Sequence, residues 1–331
     1  MSDTIGSPGQ GILKPSWIWR DGTLIPFADA TVHVLSHMSA RGSQIFDVLL
    51  AVAGPDGLRA LGLREHVARF IHSAETMGME GLPEIGSIEC AIADTVVANL
   101  EADGIAPAAS APLVIKLIAS WDDPAMGIAP KSLTPNLYIA VTPWSSDPAE
   151  VEAFKQPAAP IKVKTAAMPK IPASVLPPSM KVAAGYTPGI RHHLKAAAEG
   201  FDQVLFRTVE GDMAEGVTSS FFAVGKGRIA VPPVDSVLDG ITRRVVLDVA
   251  QAVDIPYQIR PVRWDEVIGA DELFLSSTIR TVWPVGQLDD RKLEAPGPIT
   301  ARIGVAMREL LAGDHPLADR WMTPLLPLAS E

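Results

Sequence analysis

Apolar residues recur at helical spacing in two stretches ahead of residue 105. In LREHVARFIHSAETMGM, Leu63, Val67, Phe70, Ile71, Ala74 and Met77 fall on one face, which predicts an amphipathic helix. SIECAIADTVVANLEADG repeats the pattern with Ile88, Ile92, Val96 and Leu100, and Gly104 suits its C-terminal cap. Alternation predicts strands elsewhere. SWIWRDGTLIPFADATVHVL alternates around an Asp21–Gly22 turn, and PLVIKLIAS and NLYIAVTPW are strand-like runs. Between Ser145 and Pro160 the chain turns polar and proline-rich, as a linker does. Beyond it IKVKTAAM, DQVLFRT, SSFFAVGKGRIAV and DELFLSS predict strands, the third a hairpin turning at Gly225–Lys226–Gly227. GIRHHLKAAAEG, ITRRVVLDVAQAV and PITARIGVAMRELLAG predict helices, the first ending at Gly200. These elements form two α+β halves and not strict βαβ units. The expected organisation is a disordered tail over 1–15, a smaller α/β domain over 16–144, a linker over 145–160 and a larger domain over 161–331.

Composition narrows the function classes. The chain has 331 residues, 47% of them hydrophobic, enough for a large core in two domains. A net charge of −10 disfavours nucleic acid, whose phosphates need clustered Lys and Arg. Cys90 is the sole cysteine, so no internal disulfide or cysteine metal site can form, and a reducing compartment is expected. The N-terminus lacks the basic and apolar regions of a signal peptide, and no apolar run reaches the ~18 residues of a membrane span. The expectation is a cytoplasmic protein with no membrane partner.

Candidate chemistry begins at PPSMKVAAGYTP, where Lys181 stands among small and apolar residues. Desolvation there would favour the neutral amine, a nucleophile able to form a Schiff base with a carbonyl cofactor. In GDMAEGVTSSFF, Glu215 follows a turn and precedes an apolar strand, where a carboxylate could hold a pyridine nitrogen protonated. In LDGITRR, Gly240, Ile241 and Thr242 open a helix whose free N–H groups suit an anion, above all phosphate. Ser276, Ser277 and Thr278 end a strand and offer a second cradle. Arg64, entering its helix in LGLREH, could close a phosphate site. Singly, each has a commoner meaning: a loop lysine, a turn glutamate, an N-cap, a solvated arginine. His33 and His37 have helical ligand spacing but sit in a strand-like run without an intervening glutamate, so zinc is not expected.

In this order, LREH, Lys181 with Tyr186, AEG, LDGITR and SST resemble the fold-type IV pyridoxal-phosphate enzymes, over about Trp17 to Leu311. This class contains the branched-chain, D-amino-acid and (R)-selective amine transaminases. The resemblance implies a two-domain α+β fold whose larger domain has a mixed barrel-like sheet, and a homodimer with shared active sites. It implies pyridoxal 5'-phosphate on Lys181, which also shuttles the proton and, as a reactive amine, is expected to be the only cation at its spot. Glu215 would pair with the ring nitrogen, Tyr186 with the phenolic oxygen, and Leu238 would pack under the ring. Arg64, Ile241, Thr242, Ser277 and Thr278 would hold the phosphate.

On the substrate side the resemblance implies Arg41, Phe46, Val48, Lys116, Ile279 and Arg280. Phe46–Asp47–Val48 resembles the (R)-amine enzymes, whereas MGIAP at 126–130 resembles the branched-chain ones. A 2-oxo acid brings a carboxylate that wants a cation, and among Arg41, Lys116 and Arg280 the sequence favours Arg41. The resulting expectation is an (R)-amine:2-oxo acid transaminase, with a branched-chain amino-acid transaminase as the alternative. A lyase of the aminodeoxychorismate type and a non-catalytic binding protein are further alternatives.

Overall fold

A computed structural model describes residues 14–54, 57–105 and 111–327. The expected tail over 1–15 lies almost wholly outside the described residues. The first half runs β1 (Trp17–Arg20), β2 (Thr23–Pro26), α1 (His37–Arg41), β3 (Ile45–Gly54), β4 (Gly57–Leu61), α2 (Leu63–Met77), α3 (Ile85–Asp103), β5 (Leu113–Ser120), β6 (Asn136–Pro143) and α4 (Pro148–Phe154). Then come β7 (Ile161–Thr165), α5 (Thr187–Ala198), β8 (Gln203–Arg207), β9 (Met213–Gly216), β10 (Ser220–Gly225), β11 (Arg228–Val231), α6 (Ile241–Ala252) and β12 (Tyr257–Ile259). The chain finishes with α7 (Trp264–Gly269), β13 (Glu272–Ser276), β14 (Trp283–Leu288), β15 (Arg291–Lys292), α8 (Pro298–Ala312), α9 (Ala318–Trp321) and β16 (Met322–Pro327).

Contacts divide the chain into two compact units. The N-terminal unit extends to Glu152 and takes in two later pieces, Met180–Ala184 and Leu310 onward; the C-terminal unit holds Ala153–Ser179 and Gly185–Glu309. The polar stretch 145–160 carries the short helix α4.

The N-terminal unit is built on a seven-stranded antiparallel sheet, ordered β16-β4-β3-β5-β6-β1-β2. Asp21 and Gly22, both at positive φ, make the tight turn between β1 and β2. The predicted strand through ATVHVL does not form. Pro26 closes β2, Phe27–Asp29 makes a 3-10 turn, the Leu35 N–H donates to His33 Nδ1 (3.0 Å), and the Leu35 carbonyl accepts from Ala125 N (3.2 Å) beside an isolated Ser36–Pro124 bridge, so no strand ladder builds up. The two predicted helices are α2 and α3, ending on left-handed Gly78 and Gly104. Leu63, Val67, Phe70 and Ala74 of α2 are buried, and α2 packs on β3. Each such large side chain contributes about 1.5–3 kcal/mol.

The C-terminal unit is a mixed barrel. Strands β10, β13, β14, β7, β8 and β9 pair in turn, and β9 returns to β10 through Glu215↔Ser220, closing the ring. Pairing is parallel for β14–β7 and β7–β8 and antiparallel around the rest. Strand period sets the two faces. Leu205 joins Val163, Phe221 and Leu275 in one core cluster, while Val204 and Phe206 pack with Ala196 of α5 in another. The predicted hairpin turns at Lys226–Gly227, with Gly225 paired to Arg228.

Candidate active site

Lys181 lies in the strap Met180–Ala184, which continues the N-terminal sheet. Its carbonyl accepts from Phe46 N (3.1 Å), and Ala183 N donates to the Gln44 carbonyl (2.8 Å). Its own N–H donates to Ser73 Oγ (3.1 Å) on α2. A prolyl approach, Pro177–Pro178, favours extended chain here and not helix. The side chain is half-buried, with Nζ 4.8 Å from the centre of the Phe46 ring.

The register β3–β5 pairs Phe46 with Ile118 and Val48 with Lys116, placing all four on one sheet face. Lys116 Nζ lies 5.3 Å from the same Phe46 ring. Burial pushes the Lys116 ammonium below its ordinary range, and the Lys181 charge pushes it further. The expectation that Lys181 is the sole cation at its spot is therefore overturned: strand pairing brings in a second, 65 residues away in the chain.

Asp47 points to the opposite face and is fully buried. Its carboxylate accepts from His66 Nδ1 (2.7 Å), from Arg69 Nε (2.9 Å) and Nη2 (2.8 Å), and from Val48 N (2.8 Å). Burial alone would raise this carboxyl, but the Arg69 guanidinium and the His66 ring outweigh it and hold it well below the usual carboxylate range. Burial pushes His66 down, against the pull of Asp47. The sequence reasoning missed this cluster. The available signal was a His and an Arg three apart on the edge of an apolar helix face, facing a strand whose one charge is Asp47.

The remaining N-terminal candidates, Arg41 and Arg64, lie on helices. Arg41 ends α1, is exposed, and donates to the carbonyls of Ala40 (3.2 Å) and Met126 (3.1 Å). Arg64, also exposed, enters α2 one residue behind Leu63. His37 is taken up structurally, meeting Ser43 Oγ (2.8 Å) and the Ile128 carbonyl (2.9 Å). Among the described residues no group of His, Cys, Asp and Glu could hold a metal ion.

In the C-terminal unit the register gathers the others. Ser220 of β10 faces Glu215 on β9 and Ser276 on β13. Gly240, the N-cap of α6, comes so close to Ser220 that a Cβ would sit 2.8 Å from its hydroxyl oxygen. Gly240 offers no side-chain cap, so the first N–H groups of α6 lack that acceptor. Ile241 and Thr242, the first residues of α6, are buried. The hydroxyls of Thr242, Ser276 and Ser219 are buried with no hydrogen-bond partner among the described residues. Leu238 N donates to both oxygens of Glu215 (3.3 Å each), and Lys170 forms an ion pair with the same carboxylate.

Ser277, Thr278, Ile279 and Arg280 form the turn after β13. Ser277 N donates to the Arg280 carbonyl (3.0 Å), and the Arg280 guanidinium lies 5.9 Å from the Trp283 ring centre. Tyr186 is half-buried and caps the N-terminus of α5. The structure thus brings Lys181, Phe46, Val48 and Lys116 together in one unit, and Glu215, Leu238 and the mouth of α6 in the other.

Comparison with known proteins accounts for this pattern. The family described as "Amino-transferase class IV" matches residues 44–288. The branched-chain-amino-acid aminotransferase of Pseudomonas aeruginosa is 29% identical over 308 residues, 92% of this chain and 96% of that protein. That of Escherichia coli K12 is 26% identical over 312 residues, 93% of this chain and 96% of its own. The branched-chain aminotransferase of Thermoproteus uzoniensis with norvaline superposes with a TM-score of 0.85 at 26% identity, covering 94% of this chain and 100% of that one. A second branched-chain amino acid aminotransferase, complexed with N-(5'-phosphopyridoxyl)-L-glutamate, gives 0.85 at 26%, covering 95% and 99%. The chain belongs to the class IV aminotransferases and is a pyridoxal-phosphate-dependent transaminase of fold type IV.

Proposed function

We propose that this transaminase acts on branched-chain amino acids, passing their amino group to a 2-oxo acid. The observation that carries the proposal is the 29% identity to the Pseudomonas aeruginosa branched-chain enzyme along 92% of this chain. The sequence leaned towards an (R)-selective amine enzyme through Phe46–Asp47–Val48; the comparisons favour the alternative instead. There is a physical reason to discount that tripeptide. Asp47 is turned away, bonded to His66 and Arg69, so only Phe46 and Val48 share the sheet face of Lys116. Those two apolar side chains suit a branched aliphatic substrate.

The residues fit the cofactor. Buried hydroxyls without partners beside an uncapped helix mouth are what a phosphate would satisfy. We assign the phosphate to Thr242, Ser277 and the N–H groups of Ile241 and Thr278. Glu215 would accept a ring N–H, Tyr186 would donate to the phenolic oxygen, and Leu238 would pack against the ring. When bound, the pyridoxal ring supplies an electron sink for the bond broken at the substrate carbon. Lys181 would hold the cofactor's aldehyde carbon, then take and return the proton at the substrate α-carbon.

Lys116 replaces Arg41 as our choice for the substrate carboxylate. An arriving anion relieves both the burial and the Lys181 repulsion that disfavour its charge. A second copy of the chain is proposed to dock on Val34, Leu35, Met126 and Ile128. These apolar side chains are 76%, 51%, 86% and 82% exposed, around segments joined by the Ser36–Pro124 bridge. Light scattering giving a monomer mass would remove that part.

The deciding assay supplies the holoenzyme with a 2-oxo acid and, in turn, L-leucine and each enantiomer of 1-phenylethylamine. Turnover of L-leucine with little of either amine is expected. Turnover of the (R)-amine alone overturns the proposal.

A further inference from the structure

We propose that Lys170 is a positioning residue for Glu215, fixing which carboxylate oxygen faces the cofactor's ring nitrogen. The inference rests on the assignment of Glu215 to that nitrogen. Lys170 lies in the segment that follows β7, anchored by its own N–H on the Arg207 carbonyl (2.8 Å). Its ammonium pairs with Glu215 Oε1 and also donates to the Ser236 carbonyl (3.2 Å). Leu238, two residues beyond Ser236, donates its N–H to Glu215. One ammonium therefore ties together the segment after β7, strand β9 and the loop that leads to α6.

The choice of partner is selective. Lys170 lines a groove of about 480 Å³ with Glu210, Asp212 and Asp235, yet its ammonium turns to Glu215. The two paired side chains are 22% and 14% exposed, so water competes weakly for either. A carboxylate has about four lone-pair sites on two oxygens. With Lys170 on Oε1 and the Leu238 N–H shared, Oε2 keeps free capacity for one more donor. Without Lys170 a three-torsion side chain is held by a single long hydrogen bond, and the ring N–H loses a fixed acceptor. In the sequence Lys170 sits in MPKIP and has the look of a solvated loop residue, because its partner is 45 positions away.

The test is a double-mutant cycle on the full-length protein, reading the affinity of the apoenzyme for pyridoxal 5'-phosphate by its visible absorbance. Lys170→Met should weaken that affinity about tenfold, the scale of a charge-assisted hydrogen bond. Lys170→Arg should stay within about threefold of the parent. In a Glu215→Gln background Lys170→Met should change affinity by less than about twofold. Lys170→Gln serves as a second removal should Lys170→Met fail to fold. An unaltered affinity in Lys170→Met, or a full loss that persists beside Glu215→Gln, overturns the proposal and makes Lys170 a purely structural lysine. Glu215→Gln with parental affinity and an unshifted absorbance band would instead overturn the assignment of Glu215 itself.

Discussion

Replacing Asp47 by Asn changes almost no volume and removes one charge from a site with no exposure to water. Three N–H bonds from His66 and Arg69 and a fourth from Val48 end on that carboxylate. Asn keeps one acceptor oxygen and turns an amide donor towards groups that are themselves donors. The Arg69 side chain, only 9% exposed, loses the Asp47 charge. Removing one member of a buried ion pair costs about 3–5 kcal/mol, a large part of the roughly 5–15 kcal/mol that holds a domain folded. Urea unfolding of the apoenzyme measures it, followed by tryptophan fluorescence from Trp17, Trp19, Trp121, Trp144 and Trp321 of the same unit. With a slope of about 2 kcal/mol per molar urea, the midpoint should fall by about 2 M. The double change Asp47→Leu with Arg69→Met removes both charges and should cost less than Asp47→Asn alone. A loss below about 1 kcal/mol for Asp47→Asn, or a double variant worse than the single, would refute the view that the pair is held by mutual charge neutralisation.

Acid should destabilise the same unit in two stages. His66 has a folded value below its ordinary 6.5, so beneath that pH the unfolded chain binds a proton the native state lacks, and stability falls as pH drops. Asp47, depressed from 3.8, adds a further loss as pH falls below that value. A urea midpoint that stays flat from pH 8 to pH 5 would contradict the first stage. Thr242→Val should weaken pyridoxal-phosphate binding about fivefold while leaving apoenzyme stability nearly unchanged, because the lost hydroxyl has no partner among the described residues; equilibrium dialysis reads the first and urea unfolding the second. Lys116→Met should raise the KM for L-leucine about tenfold or more with less effect on kcat, and steady-state kinetics would exclude a substrate role if KM stayed put.

Helices α2 and α3 were legible because apolar spacing marks both and Gly104 closes the second, and each packs the face its period predicts. The mouth of α6 was legible for a local reason, a glycine followed by a hydroxyl at a helix start. What involved distant pairing was not. Asp47 lies in IFDVLLAVAG, an apolar run with too little alternation to say which way it points. Only the register with β5 and the approach of α2 turn it away from Phe46. Lys116 stood only as one of three candidate cations, ranked behind Arg41, and Lys170 drew no assignment, because the groups that give them meaning, the Phe46 ring and Glu215, come from remote stretches of chain.

The strap Met180–Ala184 has a practical corollary for recombining relatives. Lys181, the proposed reactive amine, is encoded after the polar stretch at 145–160, but the backbone groups that seat it, on Gly42, Gln44 and Phe46, are encoded well before it. A chimaera spliced within that stretch therefore inherits its lysine from one parent and the seat of that lysine from the other. Exchanging residues 180–184 together with the N-terminal portion keeps donor and acceptor from the same ancestor.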